Sequence, residues 1–254
     1  MPYILRTHHL TKTIGGKNIV EDVNLHVKAG EIYGFLGPNG AGKTTVMKMI
    51  CNLWKPTSGE IEVFGTPLMP DSYEVLKRMG SIIEFPAFYD NMTGYQNLKL
   101  HCEYMGYYKH GCIENALEML GLKEAAGKKV KSYSLGMKER LGIARAILCK
   151  PELLILDEPT NGLDPAGMKQ IRDLLKMLAD EYNTTVLISS HLLSEIESIA
   201  DTIGIIHHGK LRKEISMTEI EQMNLAYIEV KVSNTTQAAF VLSDKMETQN
   251  FKIA

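Results

Sequence analysis

The stretch Gly37-Pro38-Asn39-Gly40-Ala41-Gly42-Lys43-Thr44 decides the reading of this chain. It fits G-x-x-x-x-G-K-[ST], a loop that cradles phosphate groups. A triphosphate needs several N–H donors converging on one point. Glycine lets the backbone turn its amides inward, and the helix that follows adds its positive end. Lys43 supplies a cation for the outer phosphates, Thr44 supplies a hydroxyl for Mg2+, and Thr45 extends the loop into the helix. The flanks agree with this reading. Ile32-Tyr33-Gly34-Phe35-Leu36 reads as a buried strand, and Val46, Met49, Ile50 and Leu53 keep helical spacing.

Composition narrows the class. The chain has 254 residues, enough for one substantial core with an appended piece. A hydrophobic content of 44% favours folding over disorder, and a net charge of -2 gives no support for a nucleic-acid partner. No apolar run approaches the roughly 18 residues of a membrane span. No signal peptide is expected, since charged and polar residues begin at Arg6. Cys51, Cys102, Cys112 and Cys149 form no C-x-x-C pair and read as reduced thiols.

Hydrophobic patterning gives the organisation. Val23, Leu25 and Val27 alternate with polar neighbours, as do Ile61 and Val63, which predicts an antiparallel patch with one wet face. The apolar runs Leu153–Leu156, Thr185–Ser189 and Ile203–Ile206 predict buried parallel strands separated by helices. Residues from about 88 to 150 read as mainly helical, with Met137, Leu141, Ala144 and Leu148 on one stripe and Ser134 as an N-cap. Asp164-Pro165 is a helix start signal, with Ile171, Leu174, Leu175 and Leu178 inward. The tail, 223–254, is expected to form a small α/β accessory element: a strand at 227–232, a helix at 237–246 and a strand from 251 that the chain end cuts short.

A second chemical signal is Leu153-Leu154-Ile155-Leu156-Asp157-Glu158. A hydrophobic strand ending in two acids places carboxylates beside the phosphate loop of a parallel sheet. Asp157 is then the Mg2+ carboxylate, and Glu158 is placed to polarise an attacking water.

The third signal is Ser132-Tyr133-Ser134-Leu135-Gly136-Met137-Lys138-Glu139-Arg140. It resembles the signature segment of ABC-type ATPases, with Ser134 and Gly136 at the key serine and glycine. Tyr133, Leu135 and Met137 depart from the commonest form. An ordinary N-capped helix explains the same residues, and both readings hold at once. Asn161-Gly162-Leu163-Asp164 resembles the loop that communicates across the family's dimer, and His191 the switch histidine that contacts the γ-phosphate and orients Glu158. His207-His208 reads as a solvated pair at a turn. The resemblance covers roughly residues 3–215.

Two positions depart from the family. Ile14 stands where an aromatic residue would stack on adenine, which implies weaker base discrimination. Glu84 stands where the resemblance implies a glutamine whose oxygen senses Mg2+ and water; a carboxylate can also meet Mg2+, but brings a negative charge and a titratable group. The run Glu84-Phe85-Pro86-Ala87-Phe88-Tyr89 is similar to ATPases of lantibiotic-immunity and bacitracin-type exporters.

The resemblance implies an α/β fold: a P-loop NTPase core (1–222) with a mostly parallel sheet, an antiparallel β subdomain and a helical subdomain. It implies an ATP hydrolase, with Glu158, His191 and Lys43 catalytic and Thr44, Glu84 and Asp157 at the Mg2+. Each site would join one copy's phosphate loop to Ser134 and Gly136 of another, as a homodimer in the ATP-bound state. The partner would be a separate transmembrane permease, reached through the helical part near Phe85–Tyr108, and the chain would sit on the inner face of a bacterial membrane. Export of an antimicrobial peptide is the expected work. A signalling or gating module of a membrane sensor shares every motif, whereas a ribosome- or DNA-acting ATPase would show paired cassettes or long coiled-coil insertions, and this chain shows neither.

Overall fold

The computed structural model describes residues 2–223 and the single positions 232, 235, 238 and 241. Contacts divide the chain into one unit of Met1–Ile220 and another of Glu221–Ala254. The strand, helix and strand expected in the tail lie outside the described residues, except at those single positions.

The chain opens with β1 (Tyr3–Ile14), β2 (Lys17–Val23) and β3 (His26–Lys28), then β4 (Ile32–Leu36) and α1 (Lys43–Ile50). Next come β5 (Ser58–Val63), β6 (Thr66–Pro67), α2 (Tyr73–Lys77) and β7 (Met79–Ile82). A helical stretch follows: α3 (Gly94–Met105), α4 (Cys112–Met119) and α5 (Leu135–Ile147). The rest is β8 (Leu153–Asp157), α6 (Pro165–Tyr182), β9 (Thr185–Ser190), α7 (Leu193–Ile196), β10 (Thr202–His207), β11 (Lys210–Ser216) and α8 (Met217–Met223).

The central sheet has six strands in the order β11-β10-β4-β9-β8-β7. All its neighbours are parallel except β11, which turns back on β10. Residues 153–157 of β8 and 185–190 of β9 are all buried, as continuous apolar runs require when both faces of a sheet are covered. Side chains alternate between the faces. Leu153, Ile155, Leu187 and Tyr33 pack with α1 and the antiparallel strands, while Leu154, Leu156, Val186 and Ile188 pack with α5 and α6. Each such side chain contributes about 1.5–3 kcal/mol on burial.

The expected antiparallel patch is a second sheet, β2-β1-β5-β6, with β3 also on β1. Val23, Leu25 and Val27 are buried against it. Thr7 anchors this edge: its hydroxyl donates to Val23 O and accepts from the Leu25 amide. The helices start where their caps say. Thr93 and Gln96 form a capping box on α3, Ser134 caps α5 and Asp164 caps α6 with Pro165 behind it.

One expectation fails. The helix after the phosphate loop ends at Ile50, and Leu53 is 61% exposed instead of continuing its apolar stripe. Cys51 closes the last turn onto Met47 O, and Asn52 then takes a left-handed φ of 57°, which breaks the helical phase before Leu53.

Candidate functional site

Three adjacent parallel strands end at one place. Leu36 of β4 pairs in register with Ser190 of β9, and Ser189 with Asp157 of β8. The carboxyl ends of such strands form the crevice where α/β folds bind ligands. The loop 37–42 leaves β4 there and turns into α1. Gly37 has no room for a side chain, since a Cβ would stand 2.4 Å from Ile206 O. Gly42 takes φ 107° directly before Lys43, a conformation that other residues avoid. A concave surface results, lined by Ile19, Asn39, Gly40, Ala41, Gly42, Lys43, Thr44, Thr45 and Glu158.

The charged side chains interlock. The Lys43 ammonium, 4% exposed, donates to Gly37 O at 2.6 Å and lies 3.2 Å from Glu158 Oε1. Thr44 Oγ1 donates to Asp157 Oδ2 at 2.7 Å. Ser189 Oγ donates to Asp157 Oδ1 at 2.6 Å and accepts from the Glu158 amide at 3.0 Å, so one hydroxyl orients both acids. His191 Nδ1 lies 3.0 Å from Glu158 Oε2, to which Asn161 Nδ2 also donates at 2.7 Å. Glu158 sits at φ 48°, a strained backbone for a glutamate and of a kind that gathers at functional sites. Burial alone would raise its carboxyl, but hydrogen bonds from Lys43 and Asn161 and the contact with His191 hold it below its ordinary range. These contacts favour its ionised form.

The donor set suits a magnesium triphosphate. The amides of residues 43–45 have no backbone acceptor among the described residues, and Gly42 offers no side-chain cap, so α1 presents bare N–H groups to an anion. Hard oxygens from Thr44 and Asp157 meet within hydrogen-bond distance, the chemistry Mg2+ requires.

The other sequence candidates lie elsewhere. Ile14, at the end of β1, is exposed and does not line the cradle. Ile19 lines it instead, and no motif singled it out. Ser189 was also missed, although its position at the end of the strand beside β8 was a usable signal. Glu84 follows β7 at φ 60° and pairs with Lys48 at 2.7 Å. Ser134 and Gly136 open α5 away from the cradle lining. Beside Ser134, Leu135 and Gly136 meet the loop after Glu158, packing against Gly162 and Leu163.

The model of the ABC transporter family matches residues 20–161. The chain belongs to the ABC transporter family. It is 58% identical over 253 residues to an uncharacterized ABC transporter ATP-binding protein, YcbN, of Bacillus subtilis strain 168, covering 100% of this chain and 82% of that one. It is 47% identical over 253 residues to the bacitracin transport ATP-binding protein BcrA of Bacillus licheniformis, covering 100% and 83%. The dimeric structure of an ATP-binding cassette in a post-hydrolysis state, bound to ADP and Pi, superposes with a TM-score of 0.76 at 26% identity, over 84% of this chain and 98% of that one. The chain is thus an ATP-binding subunit and an ABC-type ATPase with the P-loop α/β fold. Subunits of this family dimerise and work with membrane permease components. Among the described residues no helix is long and apolar enough to cross a membrane.

Proposed function

We propose that this chain hydrolyses ATP to power the export of a peptide antibiotic of the bacitracin kind through a separate membrane permease. The observation that carries this is 47% identity to a bacitracin transport ATP-binding protein along the whole chain. The chain works as a homodimer when ATP is bound, peripheral on the inner face of the membrane.

In this reading the bare amides at the start of α1 and the Lys43 ammonium hold the phosphates. Thr44 and Asp157 would hold Mg2+, with the Glu84 carboxylate turned to it from the end of β7, and the ion would supply positive charge beside the phosphates. Glu158 takes the proton of the attacking water, and His191 holds its carboxylate in place. A Lys43 ammonium that turns one of its three N–H donors from Glu158 to a phosphate frees Glu158 for water. Ser134 and Gly136 complete the site of a second copy with the positive end of α5. Asn161 ties Glu158 to the loop that packs on Leu135 and Gly136, so each site senses whether the other is closed. The 1–222 segment is the working cassette and 223–254 an accessory element.

The test is a bacterium sensitive to bacitracin that expresses this chain with the permease that co-purifies with it. Raised resistance that disappears with Glu158→Gln supports export. Resistance unchanged by the pair, with ATPase activity intact, assigns the chain another cargo.

A further inference from the structure

Lys48 is not part of any site assigned above, yet it touches one. It lies four residues after Thr44 on α1, hence on the same helix face one turn on. Its ammonium is 2.7 Å from Glu84 Oε1 and 4.7 Å from the centroid of the Trp54 ring. The Lys48 side chain is 16% exposed and lies between these two groups, while the Glu84 side chain is 59% exposed. Glu84 itself stands on a left-handed backbone that glutamate does not prefer. An ammonium and a divalent cation compete for the same carboxylate, and the divalent ion binds oxygen ligands with the higher charge.

We propose that Lys48 is a positioning residue: it holds the Glu84 carboxylate by direct competition with the divalent cation of the bound nucleotide. This rests on the reading that Glu84 faces that cation. Cation binding then costs the Lys48–Glu84 pair, and release of Lys48 alters the surroundings of Trp54, the chain's single tryptophan. Lys48 therefore sets the cation concentration at which the nucleotide site is fully loaded.

The experiment titrates Mn2+, as a paramagnetic stand-in for Mg2+, into the full chain saturated with a non-cleavable ATP analogue, and reads bound ion by electron paramagnetic resonance. Labelled-nucleotide binding verifies that each variant keeps its cradle. Lys48→Met and Lys48→Gln are expected to lower the Mn2+ midpoint about two- to fivefold, the strength of a partly exposed ion pair. In a Glu84→Gln background the same substitutions are expected to change nothing. Trp54 emission of the parent chain is expected to shift when cation and analogue are both present, and not with analogue plus chelator. An unchanged midpoint in both Lys48 variants overturns the proposal. So does an equal shift in the Glu84→Gln background, which would mean only a general loss of positive charge. If Glu84→Gln moves the midpoint while the Lys48 variants do not, the Glu84 assignment stands and only the role of Lys48 falls. If Glu84→Gln leaves the midpoint unmoved, both fall.

Discussion

Around the phosphate loop Lys43, Asp157, Glu158 and His191 all find partners within their own chain, whereas the start of α5 turns its polar groups outward. Ser134 and Leu135 are exposed, and the Ser134 hydroxyl accepts one weak bond of 3.3 Å from the Met137 amide. Both regions contribute a helix N-terminus, yet only one is set in a crevice. The difference bears on the proposed composite site: in that reading the phosphate loop holds its reacting groups within one chain, and the exposed start of α5 is the wall that chain would lend to a second copy.

Three substitutions probe the two regions and a fourth probes the end of β1, beginning with the largest effect. Glu158→Gln removes the proton acceptor but leaves the amides and Lys43 in place. Phosphate release is expected to fall at least about 100-fold while nucleotide still binds; near-normal turnover would show that the interlocked acids are not the reacting set. Lys43→Ala removes charge-assisted bonds to phosphate oxygens. Equilibrium titration with a labelled ATP analogue is expected to show affinity lost by about 10- to 100-fold, and unchanged affinity would move the phosphates away from this loop.

Glu139 probes the outward helix. It is buried on α5, and burial pushes its carboxyl up to about 7. A raised acid keeps its proton in the folded state at pH values where the unfolded chain has lost it. Stability therefore declines from the ordinary glutamate range up to about pH 7. Glu139→Gln should flatten that decline in denaturant titrations and add about 2 kcal/mol at pH 8. A parallel decline in both chains would remove Glu139 as its source. The smallest effect is expected at Ile14, exposed at the end of β1. Ile14→Tyr should tighten ATP by about 1 kcal/mol and widen the ATP-to-GTP ratio of kcat/KM. A parent chain that already discriminates strongly between the two would place the base elsewhere.

Most of this architecture was legible in the sequence, because the decisive features are local. The apolar run 153–156 ending in two acids, the Asp164-Pro165 start of α6 and the glycines of the phosphate loop each specify their own backbone. What escaped reading depends on register between distant segments. Ser189 reaches Asp157 only because β9 pairs beside β8, and Ile19 reaches the cradle from the separate antiparallel sheet. The pairing of Lys48 with Glu84 joins residues 36 positions apart. Leu53 misled for the opposite reason: its spacing was helical, but a left-handed Asn52 had already ended the helix.

The most direct measurement is sedimentation velocity of the Glu158→Gln chain, with and without Ser134→Arg. With saturating ATP the single variant should sediment as a dimer and with ADP as a monomer; the double variant should remain monomeric in both. A Glu158→Gln chain that stays monomeric with ATP bound, or a double variant that still dimerises, would contradict a site completed by the outward end of α5.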